Sequence, residues 1–295
     1  MTGAGGKVGV LYVAAGAGLF GTVGTAQALG PDDADPTSIG AVRLVLAALV
    51  LVAVSARAGL GRLEACLRLP PVWVAGVAQA AFNFTFLNAV SRVGVAVGTL
   101  VAIGCTPILT GLLARHVSRG WLAATSLALV GLVLLLSGDL DRRVTPSGLG
   151  FAVGASASYA VFIIASARIG RIGVQTTPVV AAIFVVAAVA LSPVLLTTSS
   201  DWVATAPGAT MVLYLAVAAT VLAYSFFNRG LGILAPSTAA TLGLVEPLVA
   251  SVLGVAVLGE RLSVLAWCGA LLVLAALGLM VRLTQPVATR KESTA

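Results

Sequence analysis

The chain has 295 residues, 59% hydrophobic and only 9% charged, with a formal net charge of +7. Soluble domains carry about 25% charged residues, so this composition excludes an ordinary water-soluble fold. The positive charge is not a nucleic-acid footprint, because the cations sit in short segments between apolar runs, where they set membrane topology.

Residues 8–29, 71–91, 120–138, 147–167, 175–197 and 209–228 contain no Lys, Arg, Asp or Glu. Each is long enough, at about 1.5 Å rise per residue, to cross roughly 30 Å of hydrocarbon as a helix. With the apolar stretches between them, ten spans are predicted: 8–29, 37–56, 71–91, 94–114, 120–138, 147–167, 175–197, 209–228, 235–258 and 263–282. The class is an all-α polytopic membrane protein. The first run lacks an A-x-A cleavage pattern and belongs to a series, so it reads as helix 1 and not as a signal peptide. Connections are short and polar: GPDDADP after span 1, DLDRRVTPSG after span 5, TTSSD after span 7. Residues 284–295 read as a disordered cytoplasmic tail. Cys66, Cys105 and Cys268 are scattered and read as small apolar fillers.

Orientation follows the Lys/Arg bias. With the N-terminus cytoplasmic, twelve of the 17 cations fall inside, among them Lys7, Arg57, Arg62, Arg68, Arg115, Arg119, Arg168, Arg171 and Arg229. Arg92, Arg142, Arg143 and Arg261 fall outside, and Arg43 lies within span 2. Both termini are therefore placed in the cytoplasm, in a cytoplasmic (inner) cell membrane.

An internal repeat is visible at an offset of 140 residues. Phe84-Thr85-Phe86-Leu87-Asn88 falls on Tyr224-Ser225-Phe226-Phe227-Asn228, and Pro107 on Pro247. The halves are 8–138 and 147–283. An odd number of spans per half inverts the second copy, and inverted repeats around a midplane cavity are a transporter architecture.

LFGTVGTAQAL in span 1, the arginine of IGAVRLVLAALVL in span 2 and LGLVEPLVASVLGVAVLGERLS in span 9 resemble the EamA-type drug/metabolite transporter superfamily. The likeness covers about residues 8–283, and LxEPL looks closest to the threonine/homoserine exporter branch. The first half departs from the pattern, reading LLARHVSRG where the second has the Leu-Gly-Glu-Arg-Leu ending. The resemblance implies a cytoplasmic-membrane carrier exporting amino acids or other small metabolites.

Function must rest on the polar groups kept inside the bilayer. Glu246, at the middle of span 9, is the one central carboxylate, and such a group must face a cavity, be paired or be protonated. It reads as a proton-coupling or solute-contacting group, or as a structural partner. Pro247 beside it removes a backbone donor and permits a kink near Gly243. Arg43 either snorkels to the external surface and anchors the helix, or forms a salt bridge or a clamp for a solute carboxylate. Gln79 and Asn83 share a helix face and are cavity candidates, with Phe20, Phe84, Tyr159 and Tyr224 as aromatic walls or packing residues. Asn88 and its repeat mate Asn228 read as interhelical glue or as site residues. Helices 1, 3, 4, 6, 8 and 9 are expected to enclose the site.

His116, the single histidine, reads as a solvated loop residue. There is no metal cluster, catalytic triad or GxxxxGK[ST] phosphate loop, so neither metal nor cofactor is expected. Gly94–Gly98 and Gly150–Gly154 permit close helix packing, in a monomer or a homodimer. The expected partners are a small-molecule solute and the lipid bilayer, with no nucleic acid. The leading function is a secondary transporter working by alternating access, with proton coupling as an option. The rivals are an intramembrane enzyme acting on lipid, and a channel or facilitator without coupling.

Overall fold

The polar connections become helix caps. Asp35 accepts a hydrogen bond from the Ser38 amide (2.8 Å) and Pro36 opens α3 (Pro36–Ala56). Ser118 caps α6 (Arg119–Leu135), Thr145 caps α7 (Pro146–Arg171), Thr205 caps α9 (Ala206–Ala216) and Ser263 caps α13 (Val264–Leu283). Each satisfies an amide that the first helical turn leaves without a partner. The remaining helices are α1 (Gly3–Gly21), α2 (Val23–Ala28), α4 (Leu60–Leu67), α5 (Pro70–Leu113), α8 (Thr176–Leu191), α10 (Ala223–Leu231), α11 (Pro236–Leu242) and α12 (Val245–Leu258). The computed structural model describes residues 3–57, 59–115, 117–139 and 144–284, and no strand occurs among them. His116, Arg142, Arg143 and the 285–295 tail lie outside the described residues.

Among the described residues eight helices are long and apolar enough to cross a membrane, against the ten spans expected. Two places account for the difference. The expected spans 71–91 and 94–114 are two helices that meet without a loop inside the 44-residue stretch α5, parted at Gly94 with φ 82° and ψ 166°. That backbone region is accessible essentially to glycine alone. A side-chain carbon on Gly98 would lie 3.3 Å from the backbone of Val90. Eight residues of straight helix would separate those positions by about 12 Å, so α5 folds back on itself at Gly94. The other place is α6, whose 17 residues fall short of the ~20 that a full crossing needs.

Three of the long segments are broken within their length. α1 passes into α2 at Thr22, whose hydroxyl donates to the Leu19 carbonyl (2.7 Å). α9 runs into α10 through a π-turn, Val217–Leu222, where the Thr220 hydroxyl donates to the Leu215 carbonyl five residues back (2.8 Å). α11 and α12 are separated at Gly243–Leu244, and the Glu246 amide donates to the Gly243 carbonyl (2.9 Å). This is the break expected from Pro247, and it places Glu246 in the first turn of α12.

Small residues let the helices close up at one end of the molecule. A side-chain carbon on Gly16 would sit 2.7 Å from the Ala223 carbonyl oxygen, so α1 and α10 touch backbone to backbone. Gly170 packs on Gly232 and the Gly9 backbone on Leu234, at the end that bears Arg57, Arg62, Arg68, Arg119, Arg171 and Arg229. Phe162, Phe184 and Phe227 fill the core beneath. Cys66 is buried, and burial pushes its thiol pKa up, as suits an unreactive filler.

Candidate functional site

The broken helices meet around a narrow central cavity of about 80 Å3. It is lined by Phe20, Val23 and Gln27 from α1 and α2, and by Gly40 and Arg43 from α3. Phe82, Asn83, Phe86 and Leu87 of α5, Tyr159 of α7, Ala219 in the π-turn, Tyr224 of α10 and Glu246 of α12 complete it. Gln27 and Gly40 place it toward the end that carries Asp32, Asp33 and Asp35.

A chain of hydrogen bonds fixes one wall. The Arg43 guanidinium donates from Nη2 to Asn83 Oδ1 (2.6 Å), Asn83 Nδ2 donates to the Gln79 carbonyl (2.9 Å), and Gln79 Nε2 donates to the Tyr224 hydroxyl (2.6 Å). Arg43 therefore points into the protein and does not snorkel outward. Its Nε is buried without a partner, as is Gln79 Oε1. The remaining walls are aromatic. Tyr224 packs against Phe20 (4.6 Å between ring centroids) and Phe184 (4.8 Å), and Tyr159 against Phe82 (4.7 Å).

Glu246 faces Arg43 across this space. Among the described residues the single salt bridge is Glu64–Arg68 on the surface, so Glu246 and Arg43 carry opposite charges in one cavity without closing on each other. The position of Glu246 at the start of α12 also suits a carboxylate, because a helix N-terminus presents partial positive charge.

Most of the residues singled out from the sequence come together here: Arg43, Asn83, Tyr159, Tyr224 and Glu246 line the cavity. Gln79 does not; it is fully buried one step behind, holding Tyr224. Phe84 is 41% exposed on the outer face, edge-on to Phe151. The repeat alignment makes it the mate of Tyr224, but the π-turn adds a residue to the helix before Tyr224 and rotates the next turns by about 100°. Phe82 and Phe86 take the place expected for Phe84. They stand three and seven residues beyond Gln79, on the face it shares with Asn83, and that spacing is legible in the sequence. α3 supplies the wall expected from span 4, whose residues do not line the cavity.

Asn88 and Asn228 do not pair with each other. Each donates to the carbonyl four residues back in its own helix, Phe84 and Tyr224 respectively, both at 2.9 Å. Asn88 also accepts from Arg92 (2.6 Å), whereas Asn228 Oδ1 is buried without a partner. Among the described residues no group of three or more His, Cys, Asp or Glu is placed to hold a metal.

Residues 146–282 match the model of the EamA-like transporter family. The chain is 36% identical over 301 residues to an uncharacterized transporter, YwfM, of Bacillus subtilis (strain 168), a match covering 98% of this chain and 97% of that protein. A solved crystal structure at 20% identity superposes with a TM-score of 0.78 over 92% of this chain and 95% of that one, so the fold is shared. These likenesses point to a transporter rather than an enzyme, and they fit a multi-pass chain with a central cavity: the protein belongs to the EamA-like transporter family.

Proposed function

We propose that this protein is a secondary carrier that exports small zwitterionic metabolites, such as amino acids or related compounds, by alternating access. The observation that carries the reading is Arg43 and Glu246 facing one narrow aromatic cavity. A solute carboxylate takes the free donors of Arg43, and a solute ammonium takes Glu246. Phe20, Phe82, Phe86, Tyr159 and Tyr224 hold the apolar part. A cavity of about 80 Å3 is small beside the roughly 300–1,000 Å3 of pockets that bury drug-sized ligands, which supports a small solute and disfavours nucleotide sugars.

In this reading α5 crosses the membrane twice, turning at Gly94, and α6 crosses once. The chain then has ten spans in two inverted halves, 8–138 and 147–283, with both termini cytoplasmic in the inner membrane. The glycine-packed basic end is the closed cytoplasmic gate and the cavity faces outward. Glu246 carries the coupling proton, exchanging it with the external medium when solute leaves. The test is flux of a panel of radiolabelled amino acids from proteoliposomes, with and without a pH gradient. Gradient-stimulated movement of one zwitterion that saturates supports the reading. Non-saturating flux that ignores the gradient favours a channel or facilitator instead.

A further inference from the structure

A second cleft opens at the basic end, between α4 and the start of α8. It has a volume of about 470 Å3 and is lined by Ala65, Cys66, Leu69, Val174 and Pro178, with Arg62 and Gln175 at its mouth. α4 is an amphipathic helix lying between two membrane segments. Leu63 and Cys66 are buried against the body of the protein, while Arg62, Glu64 and Arg68 are exposed. The charge around the mouth is one-sided. Arg57, Arg62, Arg68 and Arg171 stand on the adjoining segments, and the one carboxylate among them, Glu64, is already paired with Arg68 (2.5 Å).

Arg62 is held over the cleft by Gln175. Its Nη1 donates to Gln175 Oε1 (2.7 Å), which leaves the other guanidinium donors free. Gln175 is the residue before the first turn of α8; its side chain is turned to Arg62, and that turn has no side-chain cap. The mouth thus presents a guanidinium beside the uncapped, partially positive end of a 16-residue helix, above an apolar slot.

We infer that this cleft is a binding site for an anionic phospholipid, with the phosphate at Arg62 and the start of α8 and an acyl chain in the slot between Leu69, Val174 and Pro178. Basic pockets between membrane helices on the cytoplasmic side recognise lipid headgroups in this way. The site is separate from the central cavity and stands whether or not that cavity carries an amino acid.

The test uses the full-length protein in detergent. Dioleoyl phosphatidylglycerol, dioleoyl phosphatidylcholine or inorganic phosphate is added, and the thermal midpoint and the lipid retained in native mass spectra are read. Phosphatidylglycerol should raise the midpoint and remain bound, while phosphatidylcholine and phosphate do neither. Arg62→Gln should reduce retained phosphatidylglycerol about fivefold, as for loss of one basic residue near an anionic headgroup. Ala65→Trp, which fills the slot, should reduce it as well, and Arg62→Lys should keep it. Equal retention of phosphatidylcholine, a full shift from phosphate alone, or wild-type retention in both Arg62→Gln and Ala65→Trp would overturn the site. The comparison of the two lipids on the unaltered protein needs no variant to fold.

Discussion

At the scale of single residues, two charges set what the cavity can do. Glu246 is half-buried and Arg43 is tied to Asn83, so neither satisfies the other. A neutral amide at 246 keeps the shape and much of the hydrogen bonding but cannot change charge. Glu246→Gln is therefore expected to fold and to exchange solute without a gradient, at lower affinity because the solute ammonium loses its anionic partner, yet to lose flux driven by a pH gradient. Equal pH-driven flux in the variant and the unaltered protein would make the carboxylate structural. Tyr224 separates a structural role from a binding one. Tyr224→Phe keeps the ring packing on Phe20 and Phe184 but strands the buried Gln79 amide. Leaving such a group without its partner costs about 1–3 kcal/mol, so a lowered thermal midpoint is expected. An unchanged midpoint would show that Gln79 finds another acceptor. Glu246 is legible in the sequence because a carboxylate in the middle of an apolar run stands out. Arg43 is ambiguous there, since a long side chain near a span end can point either way and only the position of Asn83 on another helix decides. Phe84 is misplaced by the repeat alignment, which carries a helix position across but not the direction a side chain faces.

At the scale of elements, the breaks do most of the positioning. The α1–α2 and α11–α12 breaks lie side by side: a side-chain carbon on Gly21 would meet Val249 Cβ at 2.8 Å. α12 therefore begins beside the cavity, with Glu246 in its first turn. The proline-linked break is legible in the sequence. The π-turn is not, because nothing in Val217–Leu222 marks it except Thr220, and threonine occurs in regular membrane helices as well. Span number is blurred for a related reason: at Gly94 the chain turns within so few residues that no polar loop separates the two helices of α5. That turn gives the element-scale prediction. Gly94 sits at φ 82°, where a β-branched side chain is strained by roughly 1–3 kcal/mol. Gly94→Val is expected to lower the thermal midpoint and the yield in the membrane, with Gly98→Ala as the milder comparison. If Gly94→Val melts with the unaltered protein, the turn does not need glycine.

At the scale of the whole molecule, the closed end and the central cavity make a claim about movement. α1 belongs to the first half of the chain and α10 to the second, and they close the basic end through Gly16 and through Tyr12 stacked on Phe226 (6.2 Å between centroids). A carrier must part this seam once per cycle, whereas a pore that conducts without a cycle need not. With Cys66, Cys105 and Cys268 replaced by alanine, Tyr12→Cys and Phe226→Cys place two thiols across the seam. Bridging them with a short bis-thiosulfonate is expected to abolish both net flux and exchange, and reduction is expected to restore them. Either single cysteine, treated in the same way, should transport normally, which separates the bridge from damage by the reagent. Solute should still protect Glu246 from a carbodiimide in the bridged protein, because the cavity lies on the far side of the seam. Flux that continues through a fully bridged seam would mean that the basic end does not open during transport, and alternating access would then give way to a fixed pathway.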